Sequence, residues 1–142
     1  MRVSEPRLRA VFRRIDVTPS YPVSLLGYFN DRRSEGVLDP LHCRLAAFLD
    51  AGRPAARPLF VQIDSCLFDQ AFAWSLGRAL GRRECGAWGR EEVLVFASHT
   101  HTAPALARLY EAPRQERYAY ELGARIAAAA GEAARALVDA PA

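Results

Sequence analysis

The chain contains no lysine: all 19 of its basic residues are arginine, set against 16 acidic ones for a formal net charge of +3. An arginine-only bias fits a GC-rich coding sequence. The arginines are scattered along the chain rather than gathered into one stripe. A phosphate-binding face is therefore missing, and a nucleic-acid partner is not expected. Cysteine is scarce as well, with Cys43, Cys66 and Cys85 making an odd number and no C-x-x-C pair. That excludes a disulfide framework and a zinc knuckle. Cys43 and Cys66 lie in apolar runs and read as small core residues. No apolar run is long enough to span a bilayer, so no transmembrane segment is expected. The opening MRVSEPRLRAVFRRIDVTPS carries charge throughout and has no apolar signal region, which makes the cytoplasm the expected compartment. Histidine occurs only three times, and two of the three stand one residue apart.

What is present is the material of one domain, residues 1–142. A composition that is 51% hydrophobic and 25% charged belongs to a soluble globular chain. Leu8 to Thr18 alternates apolar and polar residues as a half-buried strand does. A loop follows through Leu26, Gly27, Tyr28 and Phe29 and a polar stretch ending at Gly36. LHCRLAAFLDA reads as a second strand, closed by a turn at Gly52 and Pro54. RPLFVQIDSC reads as a third, continuous enough at Leu59, Phe60, Val61 and Ile63 to be buried on both faces. Asp69 is placed to cap a helix from Gln70 to about Arg82, with Phe72, Leu76 and Leu80 at helical spacing. CGAWGR is a turn, and Val93 to Ala97 is a fourth, buried strand. Arg117 to Val138 forms one long alanine-rich helix with Leu122, Ile126, Ala130, Ala133 and Leu137 on one side. Gly123 and Gly131 inside it point to a kink or close packing. The fold class is α/β: a mixed sheet of about four strands with helices packed on it, an incomplete part of a larger layered domain.

The chemistry gathers at the end of the fourth strand, in ASHTHTAP. If that segment stays extended, His99 and His101 point the same way with Cα atoms roughly 6–7 Å apart, and Thr100 and Thr102 face the other side. Open α/β sheets place ligands beyond the carboxyl ends of their strands, where this pair lies. Imidazole is a common zinc ligand and titrates near neutral pH, so a metal ligand beside an acid/base or substrate-orienting histidine is a sensible pair. The bland alternative is two polar residues that merely finish a strand. Asp64 closes another apolar strand and needs a partner; it either orients a ligating histidine from behind or bonds a local turn or helix start. His42 has no polar company and reads as a packed or surface residue. Ser65 and Ser98 lack a G-x-S-x-G elbow, which argues against serine hydrolysis.

RRIDVTP, LLGYF, GVLDPLHCRLAAFLD, LFVQID and ASHTHTAP occur in that order. Together they resemble the N-terminal catalytic region of the neutral/alkaline, non-lysosomal ceramidase family, from about Val11 to the final helix. Members of that family carry T-H-T-H-S-G-P where this chain has Ser98, His99, Thr100, His101, Thr102, Ala103 and Pro104. The resemblance implies hydrolysis of the amide bond of an N-acyl sphingoid lipid with one zinc ion. It maps a metal ligand onto His99 and an active-site residue beside the metal onto His101. It also sets Gly27 and Tyr28 near the substrate pocket, with a ceramide-like lipid amide as the partner.

The same resemblance implies further zinc ligands, a second histidine, a glutamate and a tyrosine, much further along a far longer chain. One histidine does not hold a catalytic zinc, because such sites use about three protein ligands. The chain on its own is therefore expected to be inactive, with uncovered sheet edges and apolar faces that favour self-association. Two other readings stay open here: a non-catalytic domain that binds a partner or lipid, and a hydrolase of another amide or ester.

Overall fold

The computed structural model describes residues 8–50, 57–81 and 88–139. Cys85 and the expected turns around Gly52, Pro54 and CGAWGR lie wholly or largely outside them.

Alternating sequence becomes paired strand as expected. β1 (Leu8–Asp16) runs antiparallel to β4 (His42–Asp50), with Leu8 opposite Asp50 and Asp16 opposite His42. β4 runs antiparallel to β5 (Leu59–Ile63), and β5 runs parallel to β6 (Val93–Ala97). The sheet order is β1-β4-β5-β6, a mixed four-stranded sheet. α1 (Gln70–Leu80) connects the parallel pair, and a short 3-10 turn at Arg90–Glu92 leads into β6. α2 (Glu116–Asp139) packs on β1, β4 and α1.

One face of the sheet makes the core. Cys43, Leu45, Ala47, Leu59, Val61 and Ile63 meet Phe72, Leu76 and Leu80 of α1 and Leu122, Ile126, Ala130, Ala133 and Leu137 of α2, all buried. The apolar residues read on one side of each helix are the ones that meet the sheet. α2 is continuous through both of its glycines. A methyl group added at Gly123 would meet only open space, so the close packing expected there is not found.

α1 starts where the capping residue says it should. The Asp69 carboxylate accepts the Phe72 backbone N–H at 2.7 Å, satisfying one of the helix's free donors. Replacing Asp69 by alanine should cost about 1 kcal/mol. A melt of the chain followed by circular dichroism should show that as a midpoint lowered by roughly 4 °C. An unchanged midpoint would remove the cap from the account.

Two strand expectations need correction. β5 is not buried on both faces: Leu59, Val61 and Ile63 are buried, while Phe60 and Gln62 on the other side are only partly covered. β6 is likewise not a buried strand, since Leu94 is 48% and Phe96 44% exposed. Among the described residues both long helices lie on one side of the sheet. The other side carries an aromatic row of exposed Phe12 and half-buried Phe48 and Phe60, Phe12 to Phe48 at 6.0 Å and Phe48 to Phe60 at 5.8 Å between ring centroids. Apolar side chains on both faces of a strand thus mark two surfaces, of which α1 and α2 cover one.

The stretch read as a plain loop also holds structure. β2 (Ser24–Leu25) and β3 (Arg32–Arg33) form a two-stranded antiparallel ribbon. A two-residue strand leaves no periodicity to read, and this one is secured by bonds to distant residues.

Candidate functional site

The parallel pairing of β5 and β6 fixes the site. Ile63 and Ala97 are register partners at the carboxyl ends of their strands, so the segments leaving both strands emerge side by side. Backbone bonds continue past the ladder: Ser98 N–H donates to the Ile63 carbonyl at 3.0 Å, and His99 N–H to the Ser65 carbonyl at 2.9 Å. The β2 ribbon closes the third side. Leu26 N–H donates to the Ala103 carbonyl at 3.2 Å, and Ala105 N–H to the Ser24 carbonyl at 2.9 Å. Beneath this junction lies a small buried cluster of Leu26, Cys66, Ala105, Ala107 and Ala112.

His99 and His101 do come together, with ring centroids 5.2 Å apart, and both are exposed. The route differs from an extended segment. The ladder ends at Ala97, and His99 sits in the left-handed region with φ 67. For a residue with a side chain that conformation is strained and persists only where surroundings impose it, a pattern concentrated at functional sites. Here the Ser65 bond on one side and the Ala103 bond on the other impose it. The Thr100 and Thr102 hydroxyls lie 3.0 Å apart, and both residues line a cleft that neither imidazole lines.

Gly27 and Tyr28 join the pair. Gly27 has φ 104 and packs against the His101 ring: a Cβ there would overlap Nδ1 and lie 2.6 Å from Cγ and 2.8 Å from Cε1. Only glycine fits both the conformation and the space. The Tyr28 ring meets His101 edge-on at 6.1 Å, and the Arg32 guanidinium lies over the other partner of that contact, 4.9 Å from the Tyr28 centroid.

Asp64 is placed elsewhere. One carboxylate oxygen accepts the His42 backbone N–H at 2.9 Å and the other accepts from Arg44 at 2.9 Å. Among the described residues these bonds cross the sheet to the start of β4, so they serve neither the histidine pair nor a local turn or helix start. His42 accordingly has a polar neighbour after all. The Ser65 hydroxyl is buried and donates to the Leu67 carbonyl at 3.0 Å, a structural role.

Cys66 is the residue that the sequence did not single out. Its sulfur and one nitrogen of each imidazole lie within 4.8 Å of one another. Burial pushes its thiol up from the ordinary range. Cys43, in β4, is the inert core thiol foreseen, pushed up to about 12 by burial with the Asp64 carboxylate adding to it. The signal for Cys66 was positional: it follows β5 by about as many residues as His99 follows the neighbouring strand.

A cleft of about 1190 Å³ is lined by neither imidazole. Its walls include Tyr21, Arg32, Asp64, Thr100 and Thr102. The imidazole side, with strained backbone and converging donors, has the chemistry; the cleft has the room.

No protein-family model and no curated protein matches this chain. Solved structures do. A crystal structure of neutral ceramidase from Pseudomonas aeruginosa superposes with a TM-score of 0.80 at 20% identity, covering 93% of this chain and 22% of that one. A ceramidase complexed with C2 gives a TM-score of 0.75 at 20% identity, covering 87% of this chain and 20% of that one. The chain therefore spans about a fifth of the length of these ceramidases, and the likeness shows a ceramidase-like fold.

Proposed function

We propose that this chain is the N-terminal portion of a ceramidase-like, zinc-dependent amidohydrolase. It would cleave the amide bond of an N-acyl sphingoid or related lipid, and would be inactive without further residues. The observation that carries the reading is the convergence of Gly27, Tyr28, His99 and His101 at one strand end. The fold similarity over 93% of the chain supports it.

The residues present fit zinc. Exposed imidazoles with a sulfur beside them are borderline-soft donors, which suit zinc rather than calcium or magnesium. His99 would hold the ion, with the other ligands implied by the family resemblance supplied from outside this chain. When bound, zinc supplies a Lewis-acid centre that polarises the amide carbonyl and activates water. The chain's own contribution is orientation and proton transfer. Gly27 lies against the Nδ1 side of His101, which leaves Nε2 as the ring's free end. From there His101 would take a proton from the attacking water and return it to the leaving amine. Tyr28, edge-on to the ring, holds that orientation.

The test is the full-length product of the reading frame. It should contain one zinc per chain by elemental analysis and release fatty acid from an N-acyl sphingosine. Chelation should stop the release, and added zinc should restore it. A full-length product without zinc and without amidase activity would sink the reading.

A further inference from the structure

We propose that His99, His101 and Cys66 form a three-donor metal site complete within these 142 residues, taking one zinc or a similarly soft divalent cation with the Cys66 sulfur as its buried ligand. The inference rests on His99 as a metal ligand, as above. It departs from the family resemblance at two residues: His101 becomes a ligand in the chain by itself, and a cysteine that composition assigns to the core becomes another.

Distance is the first argument. Zinc bonds of about 2.3 Å to sulfur and 2.0–2.1 Å to nitrogen, set tetrahedrally, place donors roughly 3.3–3.7 Å from one another. The three donors lie within 4.8 Å of one another, so closing on an ion takes a movement of about an ångström. The site divides that movement sensibly. Cys66 is 3% exposed and fixed in the Leu26–Ala105 cluster, while the two imidazoles are exposed and can swing.

Preorganisation is the second argument. The Cys66 and His99 segments are tied directly by the His99 N–H to Ser65 carbonyl bond of 2.9 Å. The left-handed backbone at His99 lets its ring turn back toward His101 instead of following the strand. Gly27 removes the Cβ that would push the His101 ring off its position. Three separate backbone features thus hold two imidazoles over one thiol.

Donor chemistry is the third. One sulfur and two imidazole nitrogens select zinc, cobalt or cadmium over hard oxygen-seeking ions. On binding, the Cys66 thiol releases its proton to solvent as the sulfur–metal bond forms. Three protein ligands leave a fourth tetrahedral position on the exposed side, open to water or to an outside ligand, as in catalytic rather than structural zinc sites.

X-ray absorption of the 142-residue chain loaded with zinc decides the matter without relying on a variant that has to fold. The expected result is one zinc per chain with one sulfur at about 2.3 Å and nitrogens at about 2.0–2.1 Å. Cys66→Ser, checked for retained helicity, should lose the sulfur distance and bind zinc at least ~10-fold more weakly. Cys43→Ser should keep both. A nitrogen- and oxygen-only shell in the unaltered chain, no zinc uptake by it, or a sulfur distance that survives Cys66→Ser would each overturn the inference. None of these outcomes touches the hydrolase reading, which stands or falls on zinc and amidase activity in the full-length product.

Discussion

Replacing His99 by glycine should abolish zinc binding and amide hydrolysis in the full-length product while leaving the fold intact. The two halves of that result come from different physics. His99 stands at φ 67, where a side chain costs about 1–2 kcal/mol that glycine does not incur. Glycine also enlarges the unfolded ensemble, at a cost of about 0.5–1 kcal/mol. The two nearly cancel, so the melting midpoint should stay within a few degrees. Loss of the imidazole has no such compensation. Changing groups that merely support a ligand costs ~10–100-fold in metal affinity or activity, and removing the ligand itself should cost more. Elemental analysis should show zinc at background and activity should be lost with it. His99→Ala should lose the metal equally, yet retain the strained conformation and melt lower than His99→Gly. Stoichiometric zinc retained tightly by either variant would end the assignment of His99. A large loss of helicity in His99→Gly would show instead that the imidazole is structural.

That separation matters because the site is built on backbone rather than on side-chain packing. The core below it is supplied by residues whose periodicity is plain in the sequence: Phe72, Leu76 and Leu80 on α1, Leu122, Ile126 and Ala133 on α2, and the alternating positions of β1 and β4. These elements read correctly because burial against a single sheet face imposes periods of 3.6 and 2. Asp69 read correctly as a cap because capping is local.

The site was legible in its residues and not in its geometry. Adjacent imidazoles at a strand end mark the segment where the two rings meet Gly27 and Tyr28. The left-handed turn at His99 did not show, since it is set by bonds from Ser65 and around Ala103 that join distant segments. For the same reason β2 and β3 went unseen: each has two residues and gains its order from tertiary contacts. Cys66 was masked by composition, because a buried cysteine in an apolar run reads the same whether or not imidazoles lie above it. Only the parallel register of β5 and β6 brings it to them. The continuous apolar run of β5 reads in the sequence as burial on both faces, and that of β6 as a buried strand. α1 and α2 cover one of those sides, and the row of Phe12, Phe48 and Phe60 occupies the other.

Gly27→Ala tests whether that backbone geometry is what holds His101. At φ 104 the added methyl carries a conformational penalty of about 1–2 kcal/mol. It would also overlap the His101 ring, at 2.6 Å from Cγ and 2.8 Å from Cε1. Cγ is the ring atom nearest the backbone, so a small rotation of the imidazole does not relieve the overlap and the whole ring must leave its position. The expected consequences are a melting midpoint several degrees lower, as ~2–3 kcal/mol predicts for a domain of this size, and loss of activity in the full-length product. A double-mutant cycle divides the two causes. With His101 already replaced by alanine there is no ring to strike, and Gly27→Ala should then cost only the conformational penalty. A coupling of about 1 kcal/mol between the two positions is the expected result. Equal costs in both backgrounds would show that Gly27 serves its own turn alone and that something other than this close approach positions the second imidazole.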